Sequence, residues 1–431
     1  MIDTTLDKFN KIVPEKWQWI LNHGGFRRYF KNTGWMFFGQ MFNIISVIIG
    51  IWIARYLGPE NFGNFSFALA FVGMFSFISN LGINSILIRD LVSFPEKRDK
   101  LMGTAFVLNL IGGLLAFAVT ITVSFFSNQS ILIKSLVAIW STSFIFSAFS
   151  LPGSFFQAIV QAKKNSIVQI VVIIVSSLLK ITLITLNKGI IWLMFVSVFD
   201  YILGGALYIY NYKKSGFKIS NWSFDKNISK SFLSVSWLLM LSSVASSLLM
   251  KIDQVMIGYY IDSVAVGLYA AAVKLIEIWY FIPALVCSSL FPAIINAKKD
   301  SEEKYSNRLK NLYLLLFFLA LAISIPLSFI APWLVKTLYG VNYIGAAIVL
   351  QIYVWSGIGL FLMMGINQYL LAENNFKLIF IFNLISMLIN VILNYVLINK
   401  IGITGAAYAT LISYSIGPIL FFYWKSNKKL K

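Results

Sequence analysis

Apolar residues in this chain run on without the alternation of a strand, and charges and turn residues cut them into about twelve stretches of bilayer-crossing length. The stretches fall at 33–56, 62–88, 101–126, 131–161, 166–186, 190–212, 230–260, 264–297, 309–330, 344–372, 378–398 and 406–424. Each is predicted to be a helix, because about 20 apolar residues rising about 1.5 Å apiece cross the hydrocarbon while satisfying their own backbone groups. Continuous apolar runs exclude a β-barrel, whose strands alternate apolar and polar positions. Pro152, Pro283, Pro292, Pro326 and Pro332 lie within or at the ends of these stretches, where they are expected to kink or cap helices. The predicted fold class is an all-α polytopic membrane protein.

The longest hydrophilic connection within the body, 213–229, divides six predicted helices from six. It suggests an arm at 1–32, an N-terminal lobe at 33–212, an inter-lobe loop at 213–229 and a C-terminal lobe with a basic tail at 230–431. The arm is charged throughout and lacks a continuous apolar core, so it is not expected to be a signal peptide. Pro14 and Glu15 suit a helix start, Trp17, Ile20 and Leu21 share a face, and Gly24 with Gly25 suits an end, which predicts a short helix on the bilayer surface. The halves resemble each other. At a shift of 204, Gly63 meets Gly267, Phe65 meets Tyr269, Phe77-Ile78 meets Phe281-Ile282 and Ser85 meets Ser289. Six helices per half is an even number, so the repeat is parallel, with its axis along the membrane normal.

Composition agrees: 59% of the 431 residues are hydrophobic and 12% charged, far from the balance of a soluble domain. A net charge of +19 would suggest nucleic acid in a soluble protein, but here most of it is topology. Of the 35 Lys and Arg, 27 fall in segments on one side of the predicted helices and five on the other, with Lys180, Lys251 and Lys274 inside helices. The positive-inside rule then places both termini in the cytoplasm, and no nucleic-acid partner is expected. The single cysteine, Cys287, excludes an internal disulfide. No Walker lysine loop, nucleophile elbow or Cys/His cluster is present, and His23, the only histidine, lies in the arm. Neither a metal site nor a cofactor is expected.

Candidate chemistry therefore lies in polar groups inside the helices. Lys251, Asp253, Lys274 and Glu277 fall where hydrocarbon should be, at a cost of about 2.5–3.5 kcal/mol for a charge at mid-bilayer. Such groups face protein or water and mark substrate or ion paths. Lys274 and Glu277, three apart, share a helix face and can pair; a turn near Asp262 brings Lys251 level with Lys274. Asp200 needs a cross-helix partner, for which Lys180 is the candidate. Ser236, Ser243, Ser247 and Lys251 form one stripe, with Gln254 beyond it; Gln169, Ser176 and Lys180 form a second, and Asn383, Asn390 and Asn394 a third. Gln40 and Asn43 add two amides. Arg55 ends the first predicted helix as a snorkelling anchor or a binding group. Internal ion pairs that merely hold a helix bundle would look the same.

The run Ala54-Arg-Tyr-Leu-Gly-Pro-Glu-Asn-Phe-Gly-Asn-Phe-Ser-Phe-Ala, with Asn80-Leu-Gly-Ile-Asn and Ile88-Arg-Asp-Leu, resembles the first repeat of bacterial Wzx-type flippases for lipid-linked oligosaccharides. Lys251-Ile-Asp-Gln-Val-Met-Ile-Gly, Val266-Gly-Leu-Tyr-Ala-Ala-Ala-Val-Lys-Leu-Ile-Glu and Phe291-Pro-Ala-Ile are similar to the second repeat. These flippases belong to the multidrug, oligosaccharidyl-lipid and polysaccharide exporter superfamily. The resemblance implies two six-helix lobes around a central cationic cavity, in the bacterial cytoplasmic (inner) membrane. It implies a flippase moving undecaprenyl-diphosphate-linked oligosaccharide from the cytoplasmic to the outer leaflet by alternating access, for O-antigen or other surface polysaccharide. Arg55, Lys251, Asp253, Lys274 and Glu277 match the family's ionisable positions, whereas Lys180 and Asp200 rest on the residue pattern alone. Lys251, Lys274, Lys180 and Arg55 would bind the anionic substrate; Asp253, Glu277 and Asp200 would couple transport to a proton or sodium gradient or pair with the lysines. Gln40, Asn43, Ser243, Ser247, Gln254 and Asn390 would line the cavity. Partners would be membrane lipid and, transiently, polysaccharide polymerase machinery. Two alternatives stay open: a cation-coupled drug or metabolite antiporter of the same superfamily, and a membrane polymerase or glycosyltransferase acting on the same lipid-linked sugar. The antiporter should carry fewer cavity lysines; the enzyme would need an acid or base cluster in a long outer loop, which the chain lacks.

Overall fold

The structure, a computed structural model, describes residues 24–373 and 375–429, so the surface helix expected from Pro14 onward lies outside the described residues. Among these residues there are α- and 3-10 helices and no strand. The α-helices run α1 Gly24–Met74, α2 Ser76–Asn80, α3 Ile83–Ser93, α4 Arg98–Phe126, α5 Ile131–Ser141, α6 Ser143–Ser147, α7 Pro152–Ala158, α8 Ala162–Thr185 and α9 Ile190–Lys214. After the 213–229 connection come α10 Lys226–Tyr260, α11 Ser263–Glu277, α12 Phe281–Asp300, α13 Glu302–Tyr339, α14 Ala346–Tyr353, α15 Ser356–Ala372, α16 Phe376–Ile401 and α17 Ile403–Lys429.

Among the described residues, eleven helices are long and apolar enough to cross a membrane, against about twelve expected. The difference lies in the second predicted span. Its first half is the tail of α1, which turns at Gly58 (φ 71°, ψ 170°) just before Pro59. The chain then breaks at Phe75 and again at Leu81 and Gly82, both of positive φ, before α3. Gly24 and Gly25, expected to end a helix, instead begin α1. The eighth span, expected as one helix, is also interrupted: α11 stops at Glu277, a 3-10 turn covers Ile278–Tyr280, and α12 follows. Pro283 suits the start of α12, since a residue without an N–H forgoes no helical hydrogen bond in the first turn of a helix. At the repeat shift of 204, the break at Phe75 corresponds to Trp279 in this turn, so both copies are interrupted at the same place.

Local sequence sets the helix starts. Asp262 caps α11, its carboxylate accepting from Ala265 N at 2.7 Å. Ser301 caps α13 through Lys304 N, with Glu302 and Glu303 in the first turn where the helix dipole favours acids. Asn375 caps α16 through Leu378 N. Gly340 and Gly402, both of positive φ, end α13 and α16.

The chain forms two compact units. The first comprises the described part of Met1–Ile49 with Ile78–Val119 and Ser141–Trp237; the second comprises Gly50–Phe77, Thr120–Trp140 and Leu238–Lys431. Within the first, the 213–229 connection is fixed to α4. Trp222 stacks among Phe106 and Tyr212, Ser223 N donates to Asp99 O, and Gly103 leaves no room for a Cβ against the Ser223 backbone. Asp225 accepts from Asn227 N and Ile228 N at the start of α10 and lies 3.4 Å from Lys100. The backbone donors, Ile228 first, hold its carboxyl below the ordinary aspartate range. A depressed folded pKa gives stability that is present above the unfolded value and lost as pH falls through the folded one. Asp225→Asn, which keeps an acceptor for the cap but not the charge, is therefore expected to lower neutral stability toward the acid-state value and so to flatten the acid limb of thermal stability. Melting curves of the detergent-extracted protein across the acidic range check this.

Candidate functional site

In the second unit, α10 and α11 form the hairpin carrying the four ionisable groups. Asp253 sits in α10, is 3% exposed, and forms no ion pair among the described residues. It is instead held by three donors. Tyr269 Oη of α11 gives a hydrogen bond to Oδ2 at 2.6 Å, Thr410 Oγ1 of α17 to the same oxygen at 2.5 Å, and Asn394 Nδ2 of α16 to Oδ1 at 2.6 Å. Asn394 Nδ2 also donates to Asn390 Oδ1 at 3.0 Å. The far ends of these amides, Asn390 Nδ2 and Asn394 Oδ1, are buried without a partner. Four helices thus converge on one carboxyl, and spare polar capacity remains beside it.

Two residues before Asp253 on α10, Lys251 places its Nζ 3.3 Å from Glu277 Oε1 of α11, their side chains 31% and 26% exposed. Glu277 was expected within reach of Lys274; the pair it makes is with Lys251, across the hairpin. Lys274 is exposed and has no ion-pair partner among the described residues. Glu277 is the last residue of α11 before the 3-10 turn, where helical hydrogen bonding lapses, and mid-membrane interruptions of this kind are tolerated where they are covered by protein or meet water. Of the serine stripe, Ser247 shares a 3.3 Å hydrogen bond with Ser76 and Ser236 is buried, while Ser243 is half-buried. Gln254 is buried. Arg55 is exposed at the α1 turn, with no ion-pair partner among the described residues.

In the first unit, Lys180 Nζ of α8 donates to Asp200 Oδ2 of α9 at 3.1 Å, with side chains 15% and 25% exposed. The cross-helix partner sought for Asp200 is therefore Lys180. Asp200 Oδ1 is buried and has no hydrogen-bond partner. Asn43 is exposed, and the side chain of Gln40 is outside the described residues. Tyr269 and Thr410 were missed as site residues. A lone tyrosine or threonine in an apolar helix carries no signal, whereas the four-residue spacing of Asn390 and Asn394 does mark a polar face.

A sequence model of the family described as polysaccharide biosynthesis protein matches residues 29–298, more than half of the chain. The chain belongs to the polysaccharide biosynthesis protein family. Within this family member, a second model, MatE, matches residues 239–396. The chain is 27% identical over 414 residues to a putative O-antigen transporter of Shigella flexneri, covering 90% of this chain and 95% of that protein. It is 25% identical over 260 residues to a probable flippase, AglR, of Haloferax volcanii, covering 57% of this chain and 52% of that protein. Among solved structures, an inward-facing multidrug resistance MATE family transporter superposes with a TM-score of 0.77 at 14% identity, covering 90% of this chain and 94% of that one. The lipid II flippase MurJ in an inward closed conformation gives 0.71 at 21% identity, covering 92% of this chain and 87% of that one. These likenesses show the fold, an all-α polytopic membrane fold. The polysaccharide family match spans the α1 turn and the whole α10–α11 hairpin, which carry Arg55, Lys251, Asp253, Lys274 and Glu277.

Proposed function

We propose that this protein is a flippase, a transporter rather than an enzyme, which moves an undecaprenyl-diphosphate-linked oligosaccharide from the cytoplasmic to the outer leaflet of the bacterial cytoplasmic membrane. The observation that carries the reading is the similarity, along 90% of the chain, to a protein named as a putative O-antigen transporter. O-antigen or another surface polysaccharide is the product served, with polymerase machinery as a transient partner. Both termini lie in the cytoplasm, a reading that the distribution of basic residues supports. Residues 33–212 and 230–431 act as the two lobes of an alternating-access cycle.

Lys274 is an exposed ammonium in an apolar helix, with no ion-pair partner among the described residues, and suits a diphosphate that must leave water. Lys251 joins it when its bond to Glu277 opens, and Lys180 and Arg55 extend the positive field. Hydroxyls and amides at Ser243, Ser247 and Gln254 offer hydrogen bonds to sugars, with Asn43, Gln40 and Asn390 in the same role. Asp253 is the coupling carboxyl for a proton or sodium ion, because it is sealed, makes no ion pair among the described residues and is ringed by ligand-capable oxygens. Asp200 and Glu277 serve as counter-charges. A drug-antiporter reading has the fold in its favour but gives these lysines no task.

The test is depletion followed by leaflet-resolved measurement of lipid-linked oligosaccharide. The intermediate should accumulate on the cytoplasmic side; normal arrival at the outer leaflet, with no paralogue present, refutes the reading. Lys251→Ala and Lys274→Ala, at matched expression, are each expected to cut transport on the order of tenfold, since a charge-assisted hydrogen bond is worth about 1.5–3 kcal/mol. Undiminished transport by both would remove the cationic site from the mechanism.

A further inference from the structure

In the second unit, Lys251 lies between two positions that the internal repeat makes equivalent. At the shift of 204, Glu277, the last residue of α11, corresponds to Gly73, next to last in the α1 tail. Lys251 touches both places: a Cβ built on Gly73 would lie 3.6 Å from Lys251 Cγ, and Lys251 Nζ lies 3.3 Å from Glu277 Oε1. One turn earlier on α10, Ser247 shares its 3.3 Å hydrogen bond with Ser76, which holds α10 against the break at Phe75. The stem of Lys251 is therefore packed on the α1 tail, and its head is turned to a single carboxylate. Where the repeat could have supplied a second acid, Gly73 supplies none, and residues 62–74 carry no ionisable side chain. Lys274, one turn before Glu277 on the same face of α11, adds a second ammonium. Asp253 does not answer for it: two residues beyond Lys251 it points about 200° round the helix, and its oxygens already accept from Tyr269, Thr410 and Asn394.

Two ammonium groups, Lys251 and Lys274, against one carboxylate, Glu277, leave a single net positive charge here. A diphosphate esterified at both ends carries two negative charges, one on each phosphate, so the site as it stands falls one charge short. An uncompensated charge is costly away from water, and the shortfall vanishes when the carboxyl is neutral. We propose that the site takes its diphosphate headgroup together with one proton, which Glu277 accepts. A proton from water bonds to a Glu277 carboxylate oxygen, the ion pair with Lys251 is lost, and two ammonium groups are left to face two phosphate charges. No bond in the ligand breaks. When the headgroup leaves, the proton returns to water and the Lys251–Glu277 pair forms again. The charged groups facing Glu277 are Lys251 of α10 and Lys274 of its own helix. The titratable groups on its other sides are phenols, neutral at physiological pH: Tyr280 in its own turn, and Tyr353 and Tyr414 on α14 and α17, which pack on α11.

The inference rests on the cationic diphosphate site proposed above and states what opens its ion pair. The purified full chain, in nanodiscs of zwitterionic lipid, is titrated calorimetrically with a dialkyl diphosphate esterified at both phosphates, whose charges do not titrate near neutral pH. Repeating the titration in buffers of different ionisation enthalpy counts the protons taken up. Wild type should take up about one proton per ligand, and its affinity should fall about tenfold for each unit that pH rises. Glu277→Gln should bind without uptake, at an affinity that is independent of pH and exceeds wild type in alkaline solution. Glu277→Asp, which keeps a carboxyl, should keep the uptake. A dialkyl monophosphate carries one charge, matches the resting site and should bring no proton with it. Zero uptake by wild type, undiminished uptake by Glu277→Gln, equal uptake with the monophosphate, or binding that needs a divalent cation in place of the proton would each overturn the proposal while leaving the cationic site standing. Failure of wild type to bind the diphosphate at any pH would remove the cationic site itself, and this inference with it.

Discussion

Asp253→Ala is expected to lower the stability of the second unit by about 2–4 kcal/mol and to abolish coupled transport. Three donors lose their acceptor at once, and an orphaned buried donor costs about 1–3 kcal/mol. The full sum is not reached, because each has a fallback: Thr410 can turn its one hydroxyl hydrogen to Ala406 O, 3.1 Å away, Tyr269 lies 3.3 Å from Thr410 Oγ1, and Asn394 keeps Asn390 Oδ1. Asp253→Asn should cost only about 1 kcal/mol, since its oxygen can face Asn394 while its NH2 faces two hydroxyls that can turn to accept. The ordering, alanine well below asparagine, is read from thermal denaturation of the detergent-extracted variants. Equal melting temperatures for the two would mean that the hydrogen bonds to Asp253 do not hold the four helices together.

The membrane fold was legible because the signal is long-range and redundant: continuous apolar runs, charges between them, and basic residues on one side. What sequence could not show is where a span is broken. Phe75 and Trp279 are ordinary apolar residues; Pro283, which did stand out as a kink or cap position, accounts for the start of α12, whereas nothing in the sequence marks the break at Phe75. The ionisable residues of the hairpin were legible one by one, because a charge in an apolar run stands out. Their partners were less so. Asp200 and Lys180 were matched from helix spacing, but Glu277 reached across to Lys251 instead of back to Lys274, since the end of α11 frees the side chain toward α10. Thr410 and Tyr269 were invisible because a hydroxyl in an apolar helix acquires meaning only when folding brings a carboxyl to it from more than a hundred residues away in the case of Thr410.

Gly63→Ala should be among the most damaging single-methyl changes in the chain, with a cost of about 3 kcal/mol or more, beyond the usual overpacking range of about 1–3. A Cβ built on Gly63 would lie 1.6 Å from the Ser263 carbonyl oxygen, and one on Gly267 would lie 2.0 Å from the Pro59 carbonyl oxygen. Both obstacles are backbone, which cannot swing aside as a side chain could, so the α1 segment after Gly58 and the start of α11 would have to separate. Separation also strains the bonds that pin this crossing, Ser263 Oγ to Asn64 Oδ1 at 2.6 Å and Tyr343 Oη to Ala54 O at 2.6 Å. Gly50→Ala is the internal contrast. Nothing lies within 4 Å of its Cβ, its φ is ordinary, and helix propensity predicts a neutral or stabilising change of up to about 1 kcal/mol. Size-exclusion profiles and melting temperatures of the two extracted variants check the pair; a monodisperse Gly63→Ala with wild-type melting would show that the crossing can relax. Gly63 and Gly267 are the residues that coincide at the repeat shift of 204, and here they press on each other: the two copies of the duplicated element pack through the same glycine. A duplication that places its two copies in contact at one small residue constrains both positions together, so Gly267→Ala is expected to fail in the same way and for the same reason.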